Sequence, residues 1–96
     1  MRIAEVVGTV TLNRCHPSFV GCRLRLVAPL SLDNLTGASE PSADEQVAWD
    51  GVGAGSGSRV AISEGAEAAQ PFYPDLKPVD CYAAALLDEI NIDTEE

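Results

Sequence analysis

Four glycines stand at alternate positions in "DGVGAGSGSRV", Asp50 to Val60, and a run so rich in glycine could cradle a phosphate. The spacing argues otherwise. A P-loop has the order G-x-x-x-x-G-K-[ST], its lysine reaching the outer phosphates. Counted from Gly53, the second glycine falls on Ser58 and the lysine on Arg59. The dinucleotide fingerprint G-x-G-x-x-G fails as well, because its third glycine falls on Ser56 or on Ser58. No long helix follows to present its N-terminus, since "RVAIS" after the loop reads as strand. The glycines at 51, 53, 55 and 57 suit a bend with positive φ values, or a backbone approached closely by another chain.

Other reactive residue types are present without the company that chemistry requires. Cys15, His16 and Cys22 lie near one another in sequence, but zinc wants four ligands in paired short spacings, and only the distant Cys81 remains. His16 is the single histidine and sits beside Pro17 in a turn, so neither a serine nor a cysteine has a base to activate it. The acidic pairs Asp44–Glu45 and Asp88–Glu89 are adjacent in sequence and read as solvated charge. No catalytic group, metal site or cofactor site is expected. Trp49 reads as a core or subunit-contact residue.

The elements that would carry these residues are short. "RIAEVVGTVTL" alternates, with Ala4, Val6, Gly8, Val10 and Leu12 on one face, and Gly8 inside that pattern predicts a bulge or bend. After a turn marked by Pro17 and Gly21, "CRLRLVAPL" predicts a second strand. There Leu24, Leu26, Ala28 and Leu30 point one way and Arg23 and Arg25 the other, and Pro29 marks an edge or an end. Residues 31–45, polar and acidic, read as the longest loop. "QVAWD" and "RVAIS" flank the glycine loop as a predicted hairpin pair. Pro71, Pro74 and Pro78 forbid a long regular element between them. "VDCYAAALLDEINI" fits either helical spacing or alternation, and periodicity alone leaves both open.

At 96 residues the chain suits one domain, read here as residues 1–92 with an acidic tail at 93–96. Hydrophobic residues make up 46% but aromatics only 5%, so the core must be aliphatic. The net charge of −9 repels nucleic-acid backbones. It is also lopsided. Residues 1–30 carry Arg2, Arg14, Arg23 and Arg25 against Glu5 alone, whereas residues 31–96 set Arg59 and Lys77 against fourteen acids. Taken alone, such a split reads first as a solvated acidic surface; the sharper reading is a basic edge that meets an acidic edge on a neighbouring copy. The alternating start lacks the apolar block of a signal peptide, and no apolar run approaches the roughly 20 residues that span a bilayer. A cytoplasmic setting with free thiols is expected.

Three stretches, in order, resemble the EutN/CcmL family of bacterial microcompartment pentameric vertex proteins. "MRIAEVVGTVTLNRCHPSFVGCRLRLVAPL" is similar to the family's opening, with Phe19 where leucine is usual. "AWDGVGAGSGSRVAISEG" resembles its D-x-V-G-A-G-x-G-x-x-V pattern at Asp50, Val52, Gly53, Ala54, Gly55, Gly57 and Val60. "KPVDCYAAALLDEINI" resembles its closing P-V-D-A-A-V-V-x-I-V-D segment at Pro78, Val79, Asp80 and Asp88. The resemblance implies a mainly β protein: a small five-stranded, OB-like β-barrel with one short helix, self-assembled as a homopentamer at the vertices of a microcompartment shell. It places a helical turn at residues 79–84 and the last strand at 85–92. The partners it implies are further copies of the chain and hexagonal shell proteins, with neither nucleic acid nor membrane. Gly53, Ala54, Gly55, Gly57, Arg23 and Arg25 are the candidate subunit contacts. The competing readings are a small barrel that binds an unidentified partner and, more remotely, an accessory enzyme subunit.

Overall fold

The computed structural model describes residues 1–93, so of the acidic tail expected at 93–96 all but Asp93 lies outside the described residues. Five strands close a barrel: β1 (Arg2–Val10), β2 (Leu24–Pro29), β3 (Gln46–Asp50), β4 (Arg59–Glu64) and β5 (Cys81–Leu87), in the order β1-β2-β3-β5-β4. All pairings are antiparallel except β3 with β5. The lumen is filled by Val6, Val27, Pro29, Val60, Ile62 and Cys81, all essentially without solvent contact. Alanines at 4, 48, 54 and 83 complete it, which is how a barrel of five short strands is packed without rings.

The bulge expected near Gly8 is present. The register between β1 and β2 slips between Val6, opposite Val27, and Gly8, opposite Leu26, leaving Val7 as the extra, exposed residue. On β2 the lumen side is held by Val27 and Pro29, in register with Val6 and Ala4. The face carrying Leu24, Leu26 and Ala28 is therefore the outer one, where Leu24 and Ala28 are nevertheless buried. Pro29 ends its strand, as expected.

Three expectations are corrected. "QVAWD" and "RVAIS" form β3 and β4, but they are not a hairpin, because β5 lies between them. The chain leaving β3 is carried across to β1 instead: the Gly57 N–H donates to the Val6 carbonyl at 2.8 Å, and the Val6 N–H donates to the Ser58 carbonyl at 2.8 Å. Residues 79–84 are not helical, since β5 already starts at Cys81, with Cys81 and Ala83 buried and Tyr82 between them turned outward. A second register slip, between Ile62 opposite Ala83 and Ala61 opposite Ala85, inserts Ala84. That slip breaks the alternation and gives the apolar residues their misleading helical spacing. Among the described residues the one short α-helix, α1, is Leu32–Thr36, in the segment read as loop. Ser31 and Asn34 cap each other reciprocally at 2.9 and 3.2 Å, and Gly37 ends the helix at φ 82°. The proline-rich stretch does start with a regular piece, a 3₁₀ run at Gly65–Phe72 that includes Pro71.

The aromatics lie outside the barrel. Trp49 is half-buried, between Phe19 at 5.7 Å and Phe72 at 4.7 Å, and Phe72 meets Tyr82 edge-on at 5.6 Å. Phe19 belongs to a 3₁₀ turn at Pro17–Phe19 and Phe72 closes the second 3₁₀ run. Lys77, the single lysine of the chain, fastens both to the barrel. Its ammonium lies 5.4 Å from the centre of the Trp49 ring and 5.5 Å from that of Phe72, and it donates to the Ser18 carbonyl at 2.7 Å. Among the described residues no helix is long and apolar enough to cross a membrane.

Candidate assembly surface

The glycine loop is built around the residue before it. Asp50 ends β3 with its side chain fully buried. One carboxylate oxygen accepts from the Val52 and Gly53 N–H groups at 3.0 and 2.9 Å, and the other from the Ala54 N–H at 2.9 Å. Three successive amides thus converge on one point, the concave anion-binding arrangement that phosphate sites use. Here the anion is the chain's own carboxylate. That occupancy is the physical reason the loop is a bend and not a phosphate cradle.

A buried carboxylate needs a countercharge as well as donors. Arg25 supplies it, with Nε 3.2 Å from Asp50 Oδ2 and a hydrogen bond from the same nitrogen to the Ala54 carbonyl at 2.8 Å. Arg25 is in register with Ala48 on the neighbouring strand, so it follows Val27 on the lumen side at the barrel's end. Its guanidinium closes that end over the aspartate.

The glycines have different reasons for being glycines. Gly53 and Gly57 take φ values of 75° and 86°, where a side chain is strained. Gly51 has no such φ, but a Cβ there would run into the Tyr82 ring, while its N–H donates to the Ala83 carbonyl at 3.2 Å. Gly55 has neither constraint: nothing lies within 4 Å of where its Cβ would stand.

Of the six residues expected at a subunit contact, the structure gathers four. Arg23 Nη1 would lie 4.0 Å from a Cβ on Gly53, and Arg25 holds the Ala54 carbonyl. Arg23, Gly53, Gly55 and Gly57 are at or near the surface, whereas the Ala54 methyl is buried in its own core and Arg25 is engaged with Asp50. Ala54 and Arg25 can therefore shape the loop from beneath but not offer side chains to a neighbour. Asp50, the organiser, was missed as a site residue. Its signal was an aspartate directly before small residues, the pattern in which the side chain caps its own following amides.

The remaining reactive groups are dispersed. His16 Nδ1 accepts from the Ser18 N–H at 3.1 Å and lies 2.8 Å from its hydroxyl, capping the first 3₁₀ turn. Cys15 is exposed, Cys22 partly so, and Cys81 is buried in the lumen. Burial, with Glu64 and Asp80 nearby, pushes the Cys81 thiol up from 9.0 to about 11, so it stays protonated. Among the described residues no three His, Cys, Asp or Glu side chains are grouped to hold a metal ion.

Comparison with known proteins adds a strong relation to this geometry. The family described as "Ethanolamine utilisation protein EutN/carboxysome" matches residues 1–88. The chain is 36% identical over 91 residues to the bacterial microcompartment shell vertex protein PduN of Salmonella typhimurium strain LT2, covering 95% of this chain and 99% of that one. Its fold superposes on the Gloeobacter violaceus CcmL structure with a TM-score of 0.83 at 33% identity, over 97% of this chain and 91% of the other. It also superposes on the GrpN pentameric microcompartment shell protein from Rhodospirillum rubrum with a TM-score of 0.79 at 28% identity, over 98% and 100%.

Proposed function

We propose a function from one premise: this chain belongs to the EutN/CcmL family. It is a structural protein and not an enzyme, a pentameric component of a bacterial microcompartment shell that occupies the shell's vertices. The observation that carries this reading is a family match over residues 1–88 joined to a barrel that superposes along the whole length of a pentameric shell protein. A shell tiled by flat six-fold units cannot close without five-fold corners, so the partners across the shell are hexagonal shell proteins. Within the ring, the side of each wedge meets the opposite side of the next.

The glycine loop, with Arg23 beside it, is the inferred subunit contact. What supports this is Gly55, whose side-chain space is empty within its own chain and which therefore needs no glycine for its own fold. A neighbouring backbone passing closely would supply the need. Charge supports it too. Five copies at −9 each must close a ring against their own repulsion, and screening over about 8 Å does not remove it between touching faces. A basic edge abutting an acidic one offsets that cost. Native mass spectrometry of the purified chain tests the reading, with a species of five times 10.1 kDa expected. A monomer whose stability depends on a small ligand would overturn it in favour of a binding module. Co-expression with hexagonal shell proteins tests the second part: closed particles should require this chain.

A further inference from the structure

Two features of one end of the barrel have no counterpart within the chain. One is backbone. β4 runs beside β1 only along Arg2–Glu5, while β2 accompanies it to Val10, so among the described residues Gly8–Val10 have a strand on one side only. A free strand edge invites another strand. The other is charge. Arg2, Arg25 and Arg59 each have a carboxylate within 4.0 Å, but among the described residues the exposed Arg14 and Arg23 have none. Lys77, the remaining base, is engaged by the Ser18 carbonyl and two rings, so Arg14 and Arg23 are the two guanidinium groups without a carboxylate in a chain of 15 acids.

Both features flank one groove. Two adjoining hollows of about 640 and 350 Å³ share Leu12, Cys15, Phe19 and Leu24 as common walls, with Arg23 lining the first and Arg14 the second. Thr9 and Val10, from the free edge, line the first as well. An apolar floor, a rim whose unpaired charges are Arg14 and Arg23 against the single lining acid Asp80, and an unpaired backbone suit an extended peptide that carries apolar residues on one side and carboxylates on the other.

The chain contains such a peptide. After β5 ends at Leu87, "DEINID" (Asp88 to Asp93) joins no ladder. In extended form Ile90 and Ile92 fall on one side, with Asp88 at its start, and Glu89, Asn91 and Asp93 fall on the other. The acids are exposed, and none of residues 88–93 lines either hollow of its own chain. The geometry points to Asp88–Asp93 of one copy as the occupant of the groove around Leu12 and Phe19 on the next copy, with its acids against Arg14 and Arg23. This inference rests on the ring reading above and specifies how neighbours interlock. Donor segment and acceptor groove are different surfaces, so every copy both gives and receives, as a head-to-tail ring requires.

The test follows oligomer mass on dilution by native mass spectrometry and sedimentation, in a truncated chain and in full-length variants. If the wild-type chain forms no ring, the vertex reading fails and this inference fails with it. If it does, a chain ending at Leu87 should keep its fold, read by circular dichroism and Trp49 emission, yet dissociate at protomer concentrations at least tenfold higher. A full-length R14E/R23E variant should show a similar shift, and so should D88K/E89K/D93K. The chain carrying all five reversals should return to within about threefold of wild type. A wild-type ring whose dissociation is unmoved by truncation, or five reversals whose effects simply accumulate, overturns the inference and leaves the ring intact.

Discussion

Replacing Asp50 with asparagine changes one oxygen for an amide nitrogen and almost nothing in volume, so its cost measures the buried carboxylate alone. Asparagine can keep the bonds from the Val52 and Gly53 N–H groups through its remaining oxygen, but its –NH₂ then faces the Ala54 N–H and the Arg25 guanidinium, donor against donor. The Ala54 N–H is left unsatisfied in a residue only 1% exposed, which costs about 1–3 kcal/mol. Arg25 also loses the countercharge that justified its place, and the two surviving bonds fall from charge-assisted to neutral strength. A total of about 3–4 kcal/mol is expected, against a domain stability of about 5–15 kcal/mol. Urea unfolding followed by Trp49 emission measures it, at one fixed protomer concentration because assembly adds to apparent stability. With a slope near 1.5 kcal/mol/M, the midpoint should fall by about 2–2.7 M. The Asp50→Ala variant extends the test: its vacated ring of amides should accept formate, and millimolar formate should raise its midpoint more than equal chloride does. A loss below about 1 kcal/mol for Asp50→Asn, with no formate effect on Asp50→Ala, would refute the account of the loop as a bend held by its own anion.

Three further outcomes are expected. Gly51→Ala should cost about 1–3 kcal/mol by pushing the Tyr82 ring aside, visible as a changed near-ultraviolet dichroism, and the same change made on a Tyr82→Ala background should cost under about 0.5 kcal/mol. Stability should decline between about pH 9 and pH 11, because the unfolded Cys81 thiol loses its proton from 9.0 upward while the folded one holds it to about 11. The loss is on the order of 1–2 kcal/mol, present in wild type and missing from Cys81→Ala in denaturant titrations across that range. Gly55→Leu should leave the unfolding midpoint of the dissociated chain within about 0.5 kcal/mol of wild type and weaken the ring at least tenfold; an unaffected ring mass on dilution would count against the loop as a contact.

The barrel was legible where alternation was clean. Ala4 and Val6 on β1 and the bulge by Gly8 could be read directly, because a glycine inside an alternating strand has few other uses. The end of the chain misled because Ala84 is an insertion in β5, and one inserted residue turns a period of two into something close to a helix. The hairpin between β3 and β4 was a fair reading of two strands flanking a glycine-rich bend. What it lacked is the long-range fact that β5 pairs in parallel between them. Helix α1 escaped because its cap uses Asn34 where the familiar reciprocal box has Glu or Gln. At the loop, the glycines drew attention while Asp50, which makes them a structure, carried no periodicity to reveal it. The groove by Phe19 could not be read at all, since its walls come from the end of β1, a turn and the start of β2.

Lys77 has a practical consequence for anyone who labels these assemblies. With its ammonium held on the Ser18 carbonyl and lying over one indole and one phenyl face, the only lysine in the sequence is a sterically hindered target for acylating reagents. Amine-directed dyes, biotin esters and bis-succinimide linkers will therefore find few side-chain amines in this sequence, and maps of intact particles built on such linkers will be sparse at the corners. On the dissociated chain, where the groove is open, the exposed thiol of Cys15 is the handle to use instead.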